Sequence, residues 1–206
     1  MNYKTIFTCA LLLSFSMQIG AQNKHTGVPP EVSPMPMKPE MTEIWEPEVS
    51  VVTPAKTLGD APSDAIILFD GSSLDQWVSQ KDNSQTAPWK IIDNNYFEVV
   101  PGSGGISTKM KFGDCQIHIE FSAPDVVEGH SQGRGNSGLF LQNRLDAKAK
   151  ITVLHNGVLV QNNVEINGNT YYVGLHNYPS AHGDDVLSLQ DHGNKTQFRN
   201  IWVRPL

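Results

Sequence analysis

Cysteine is nearly absent from this chain of 206 residues, with only Cys9 and Cys115 present. Cys9 falls in an N-terminal segment that has the pattern of a cleaved signal peptide, so the mature chain keeps a single thiol and no internal disulfide. Cys115 lies among the alternating apolar positions of a predicted strand and shares their face, which predicts a buried structural thiol. His118 lies on the opposite face of the same predicted strand and therefore cannot activate Cys115 as a nucleophile.

Positive charge is also scarce. Charged residues make up only 17% of the chain, and the formal net charge is −6. Lys4 is the one charged residue of the first 21, so removing it takes the net charge from −6 to −7. A phosphate backbone requires a basic surface, and this composition therefore argues against nucleic-acid binding.

A long apolar run is missing as well. Residues 6–19 are mostly apolar but are interrupted by small and hydroxyl side chains, and they follow the positive start at Lys4. Gly20-Ala21 then supplies a cleavage site before Gln22. This pattern predicts a signal peptide over residues 1–21 instead of a membrane anchor. No other segment could cross a membrane, so the mature protein is expected to be periplasmic or secreted.

Residues 22–63 carry eight of the thirteen prolines, which leaves no room for a regular element and indicates a linker. Val49–Val52 is one of its few apolar spots and could lie along the domain surface as an extended strap. Residues 64–206 remain to form a core. These 143 residues suit one domain and are too few for two.

The domain shows strand patterns and no sustained helical period. The cleanest alternation is Cys115–Ser122, in which Cys115, Ile117, Ile119 and Phe121 share one face. Asp93-Asn94-Asn95 and Asn156-Gly157 are typical of hairpin turns. The predicted strands are residues 65–69, 89–92, 96–100, 115–122, 137–142, 151–154, 158–161, 187–190 and 198–203. The pattern predicts an all-β sandwich of two antiparallel sheets.

Residues 133–138 (GRGNSG) match the dinucleotide-binding spacing G-x-G-x-x-G. That motif requires a helix after it, so that the helix N-terminus meets the pyrophosphate. A β pattern follows here instead. The glycines are therefore interpreted as residues that let a loop enter a strand tightly.

Polar residues on the predicted strands could bind or cleave a sugar. His118 and Glu120 share one face, roughly 7 Å apart by strand rise, and could act as base and acid or could simply form the wet face of a sheet. Gln142, Gln190 and Arg199 also lie on strands. His182–Asp185 and Asp191-His192 could hold a divalent cation, although ordinary turn chemistry explains them better.

Seven stretches, in this order, resemble the 3-keto-disaccharide hydrolase family. They are LFDGSSLDQW (68–77), WKIIDNNYFEVVPGSGGISTK (89–109), FGDCQIHIEFSAP (112–124), GRGNSGLFLQNR (133–144), VLHNGVLVQNN (153–163), LSLQDHG (187–193) and FRNIWVRPL (198–206). The resemblance covers nearly everything from Ala65 onward. It implies a concanavalin A-like jelly roll of two curved antiparallel sheets, with a concave face for sugar.

The resemblance also implies a reaction and a set of site residues. The family acts on glycosides whose C3 hydroxyl has become a ketone, by removal of the C2 proton, elimination of the glycosidic oxygen and hydration. A divalent metal ion could stabilise the enolate. The catalytic candidates are His118, Glu120 and His192. The substrate-binding candidates are Arg134, Asn136, Ser137, Gln142, Gln190 and Arg199, and the metal candidate is Asp191.

The sequence departs from the family pattern after Arg144. The family continues with a strand of the form Y-E-x-Q-x-L-D-S and a later strand around P-G-E-W, whereas here residues 145–150 lead directly into Ile151. The jelly roll is therefore expected to be incomplete, with exposed sheet edges that a homo-oligomer could cover.

Three hypotheses follow. The chain is an enzyme acting on 3-keto-glycosides, a non-catalytic module that binds oligosaccharide, or an inactive, internally shortened variant, which a gene-model error would also produce.

Overall fold

A computed structural model describes residues 38, 50–141, 149–168, 171–175 and 183–206. The predicted signal peptide and most of the predicted linker therefore lie outside the described residues. Residues 50–206 form one compact unit. Within the described ranges, no helix is long and apolar enough to span a membrane.

Eleven strands occur in the described residues, together with one 3-10 turn at Ser131–Gly133. The strands are β1 (Ile66–Phe69), β2 (Trp77–Ser79), β3 (Lys90–Ile92), β4 (Tyr96–Glu98), β5 (Ile106–Phe112), β6 (Cys115–Ser122), β7 (Leu139–Leu141), β8 (Lys150–His155), β9 (Val158–Glu165), β10 (Asp185–Leu189) and β11 (Gln197–Pro205). All pairings are antiparallel. The fold is thus all-β, as predicted, and of the β-sandwich jelly-roll kind.

The strands form two main sheets and a hairpin. The first sheet has five strands in the order β1-β11-β4-β3, with β6 on the other side of β11. The second has four, in the order β2-β5-β10-β7, and β8 pairs with β9 in a two-stranded hairpin. Among the described residues, β6 and β7 each have one edge without a strand partner.

Aromatic side chains fill the space between the sheets. Phe97 is fully buried, and its ring centroid lies 4.7 Å from that of Phe69 and 5.7 Å from those of Trp89 and Phe198. The indole of Trp77, on the second sheet, donates a 2.9 Å hydrogen bond to the carbonyl of Leu68, on the first sheet. This core joins the two sheets because neither can bury its apolar face alone.

The two predicted hairpins have the expected turn chemistry. Asp93 and Asn94 both have positive φ, as do Asn156 and Gly157. These are the type I′ conformations that Asn, Asp and Gly adopt most readily. A strand, β7, follows Gly138, so the GRGNSG segment lacks the helix that a dinucleotide site needs.

The bulge in β11 decides which side chains face outward. Arg199 pairs with Glu120 and Trp202 pairs with His118, so three steps along β11 match two along β6. Asn200 sits at this bulge with φ +45°. The extra residue turns Ile201 toward the core and leaves Trp202 outside it. Without the bulge, strict alternation from Phe198 would reverse these two positions.

Candidate functional site

Five side chains on the outer face of the first sheet form a connected network, here called the strand group: His118 and Glu120 from β6, and Arg199, Asn200 and Trp202 from β11. Arg199 Nε donates to Glu120 Oε2 at 2.7 Å, and Asn200 Nδ2 donates to Glu120 Oε1 at 2.8 Å. His118 Nε2 lies 3.5 Å from Glu120 Oε1, and its ring stacks on Trp202 with centroids 5.2 Å apart. Each member therefore contacts another.

The electrostatics of this network keep Glu120 ionised. The hydrogen bond from the Asn200 amide holds the pKa of Glu120 below its usual range, and the bonds from Arg199 and His118 act in the same direction, whereas partial burial opposes them. A carboxylate with a lowered pKa accepts hydrogen bonds but cannot donate a proton at neutral pH. Glu120 is therefore unsuited to the general-acid role that its position on the strand suggested.

A loop at residues 53–63, here called the Gly59 loop, lies on the strand group. The Gly59 carbonyl oxygen accepts hydrogen bonds from Asn200 Nδ2 at 2.9 Å and from Trp202 Nε1 at 3.0 Å. Trp202 is only 5% exposed, although it does not belong to the core cluster. The described part of the predicted linker thus contacts the sandwich.

The loop group is a second set of six predicted site residues, at the ends of β7 and β10: Arg134, Asn136, Ser137, Gln190, Asp191 and His192. Ser137 Oγ donates to the Gln190 carbonyl at 2.7 Å. The Gly135 N–H donates to Asn194 Oδ1, and Asn194 Nδ2 donates to the His192 carbonyl at 3.1 Å. These bonds hold the two loops side by side and so bring Arg134 and His192 to the same end of the sandwich.

Two ionisable side chains of the loop group remain available for a ligand. Arg134 and His192 are exposed, and within the described residues neither the guanidinium nor the imidazole has a hydrogen-bond or ion-pair partner. Arg134 also lines a shallow surface depression together with Gln132, Gly135, Asn136 and Ser137. An unpaired guanidinium and an unpaired imidazole at the same end of the sandwich are suited to stabilising a developing negative charge and to moving a proton.

Asp191 has a structural role in this group. Its Oδ2 accepts from the Gly104 N–H and its Oδ1 from the Gly193 N–H, both at 2.9 Å. Across the described ranges, no group of three or more His, Cys, Asp or Glu side chains could hold a metal ion. The described residues therefore do not fit a metal at Asp191. His182, from the other proposed cation segment, lies outside them.

Cys115 behaves as a structural thiol. It is half-buried and packs against the core cluster with Ile117 and Ile119. Burial raises the pKa of its thiol, and neighbouring Asp114 raises it further. A raised pKa lowers the thiolate fraction and so disfavours a nucleophilic role.

The predicted site residues thus fall into two groups, and among the described residues no hydrogen bond or ion pair joins the two. His118, Glu120 and Arg199 belong to the strand group, the other six described residues form the loop group, and Gln142 lies outside the described residues. Asn200, Trp202 and Gly59 were not predicted. An asparagine in the middle of an apolar strand pattern was the available signal, because Asn tolerates the positive φ of a bulge.

Comparisons with known proteins give a family. The family of 3-keto-alpha-glucoside-1,2-lyase-like domains matches this chain over residues 64–150 and 145–204. A crystal structure of a putative glycosyl hydrolase from Parabacteroides distasonis superposes with a TM-score of 0.68 and 32% sequence identity. That match covers 82% of this chain and 97% of the other. No curated protein matches the sequence.

The two matched segments overlap at residues 145–150, which is where the sequence departs from the family pattern. The family and the structural relative support a carbohydrate-active, hydrolase-like role. The segments together span most of the domain, and the chain therefore belongs to the 3-keto-disaccharide hydrolase family, whose members carry 3-keto-alpha-glucoside-1,2-lyase-like domains.

Proposed function

We propose that this protein is an exported enzyme that cleaves 3-keto-glycosides at the loop group. The observation that carries the proposal is the pair of unpaired side chains, Arg134 and His192, at the end of the sandwich in a member of this family. The strand group is the weaker candidate for chemistry because its charges already bind one another and the Gly59 carbonyl already binds its Asn200 and Trp202 donors.

The chemistry follows from the ketone. A C3 carbonyl acidifies the C2 hydrogen, so neutral His192 can take that proton while the Arg134 guanidinium stabilises the enolate oxygen. The electron pair then forms the C1–C2 double bond and expels the glycosidic oxygen, which receives the proton from the imidazolium. Water adds across the double bond, with hydroxyl at C1 and hydrogen at C2, so the net reaction is hydrolysis.

Substrate turnover by the purified protein tests this mechanism. We expect cleavage of a 3-keto-glucoside and none of the parent glucoside, because only the ketone makes C2 acidic. His192→Ala should lower kcat by about 10²- to 10⁴-fold, the usual contribution of a general base. His130→Ala is the matched control, since His130 is an exposed histidine of the neighbouring loop. Equal cleavage of both glucosides, or no turnover of either, would contradict the proposal.

A non-catalytic, oligosaccharide-binding module is the second candidate. It is favoured by the fact that backbone N–H groups occupy both carboxylate oxygens of Asp191, the one acidic side chain of the loop group. Calorimetric titration with a glycan panel separates the two functions. Saturable binding without turnover supports the module, and cleavage of the 3-keto-glucoside refutes it.

Export has its own test. The positive start at Lys4, the apolar segment 6–19 and Gly20-Ala21 support cleavage before Gln22. We expect mass spectrometry of the protein from its native cells to find a mature N-terminus at Gln22, outside the cytoplasm. An intact Met1 in the cytoplasmic fraction would contradict export.

A further inference from the structure

The strand group contains a feature that the proposed function does not use. Two neutral N–H donors, Asn200 Nδ2 and Trp202 Nε1, converge on one carbonyl oxygen, that of Gly59, at 2.9 and 3.0 Å. Converging N–H donors of this kind are how proteins bind and orient a carbonyl oxygen of a ligand. The bulge at Asn200, with φ +45°, aims the amide at this point.

The oxygen belongs to a loop that can leave without disturbing the sheets. The ends of the Gly59 loop are tied together by two hydrogen bonds, from Ser63 N to the Thr53 carbonyl at 3.0 Å and from Thr53 N to Ser63 Oγ at 2.9 Å. Residues 53–58 are exposed. Because the loop closes on itself, it can swing away while its base stays in place.

The approach of the loop requires glycine. Gly59 has φ +97°, and a Cβ there would lie 3.3 Å from Glu120 Oε1 and 3.4 Å from the His118 ring. A side chain would therefore meet both a strained backbone and two occupied positions. The contact is made by backbone alone, as in the binding of an amide.

The surroundings suit a sugar. When the loop is away, the indole N–H of Trp202 and the amide of Asn200 become accessible beside the Arg199–Glu120 ion pair, whose side chains are 54% and 34% exposed. Aromatic edges next to a few planar polar groups are the common lining of small-ligand sites. A saccharide hydroxyl can bond to either partner of the ion pair.

We propose that the strand group is a second saccharide site, for a sugar carrying an N-acetyl group, and that the Gly59 carbonyl occupies it when no ligand is bound. The acetamido group carries the same secondary-amide carbonyl that Gly59 supplies. The loop competes with the ligand, so the apparent affinity falls by the fraction of time that the site is open. The site is separate from the loop group and does not depend on the proposed cleavage.

Gly59→Ala tests the proposal, with N-acetylglucosamine and glucose as probes. The indole N–H signals of the protein labelled with ¹⁵N-tryptophan report on Trp202. We expect the Trp202 signal of Gly59→Ala to show faster exchange with water. We also expect this variant to bind N-acetylglucosamine about tenfold or more tightly than wild type. A tenfold gain corresponds to a wild-type loop that is docked nine-tenths of the time. Neither wild type nor Gly59→Ala should bind glucose. Gly102→Ala is the control, because Gly102 also has positive φ but has no atom near its missing Cβ.

A second variant keeps the proposal testable if Gly59→Ala fails to fold. Replacing residues 54–62 by a short Gly-Ser link removes the occupant but keeps Thr53 and Ser63, and it should give the same gain in affinity. Adding Trp202→Phe should abolish that gain, because the ring remains and the donor is lost. Equal affinity of wild type and the loop variant, or equal binding of glucose, overturns the proposal. Turnover of a 3-keto-glucoside is read separately, so failure at one site says nothing about the other.

Discussion

The strand group and the loop group contain almost the same kinds of side chain and use them in opposite ways. Each has a histidine, a carboxylate, an arginine and an asparagine. In the strand group the arginine and asparagine bind the carboxylate, so the charges neutralise one another. In the loop group the carboxylate binds backbone N–H groups, and the arginine and histidine are left without partners among the described residues.

The backbone explains the difference. Antiparallel strands hold opposite residues about 5 Å apart, so Glu120 and Arg199, which are paired in register, meet side chain to side chain. Loops have no ladder partners, and their backbone N–H groups must find other acceptors. Asp191 and Asn194 accept those hydrogen bonds, and the side chains of Arg134 and His192 stay exposed. Residue type alone therefore does not tell whether a polar group is available for chemistry.

The largest expected effect concerns the stability contribution of the strand group. Trp202→Ala should lower the free energy of unfolding by about 3 kcal/mol, because a nearly buried indole is removed from beneath the Gly59 loop. Trp202→Phe should cost about 1 kcal/mol, for the lost hydrogen bond to Gly59. Urea unfolding measures both. If Trp202→Ala is as stable as wild type, the network is not structural and the comparison fails.

The next effect concerns the arginine of the loop group. Arg134→Ala should lower kcat/KM for a 3-keto-glucoside by about 10²-fold while leaving the melting temperature unchanged, because an unpaired cation contributes to the transition state and not to the fold. The matched variant is Arg204→Ala, which breaks the 2.6 Å ion pair with Asp64. It should lower the melting temperature slightly and keep the activity. A lowered melting temperature in Arg134→Ala together with lost activity in Arg204→Ala would contradict these roles.

The smallest effect is a pH dependence. The folded pKa of Glu120 is lowered from the ordinary value of 4.5, so its contribution to stability is complete above that value and is lost as the pH falls through the lowered pKa. Glu120→Gln should therefore destabilise the protein at pH 7 and lose less stability than wild type between pH 5 and pH 3. Urea midpoints across this range measure it, with exposed Glu128→Gln as control. Parallel curves for Glu120→Gln and wild type would mean that the ion pair stabilises nothing.

Much of the fold was predictable from local pattern. The bounds of β6 are those of the alternation Cys115–Ser122, and the two type I′ turns are where Asn, Asp and Gly indicated them. Phe121 differs: it continues the apolar face but is 65% exposed and does not belong to the core cluster, although its partner on β11, Phe198, does. The alternation of a strand tells which face a residue takes, not whether anything covers that face.

Strand β5 shows what pattern could not predict. Ile106–Phe112 runs through the middle of the second sheet, yet it contains Ser107, Thr108 and two lysines and was not predicted as a strand. Ser107 and Thr108 are buried because partners on β10 satisfy them: the Ser188 hydroxyl at 3.1 Å and the Leu187 N–H at 3.0 Å. Those partners are about 80 residues away in sequence, so no local window could contain them.

For the candidate site, the sequence analysis treated residues of two separate places as one set. The motifs around His192 and Arg134 led to the loop group, whereas His118 and Glu120 were chosen for sharing a strand face, which they do. Their pairing with Arg199 and Asn200 depends on the register of β6 against β11 and on one bulge. Register is a property of the assembled sheet.

By itself, the sequence determined the β class, the hairpin turns, the family and the types of polar side chain that are present. These features depend on alternation, turn residues and the order of motifs, which can be recognised in the chain before it folds. Only the tertiary structure decided which polar side chains are already bound to one another and which remain open to a ligand. Each of those outcomes depends on a distance between residues far apart in the chain, such as the 2.7 Å between Arg199 and Glu120, and such distances exist only after the sheets have formed.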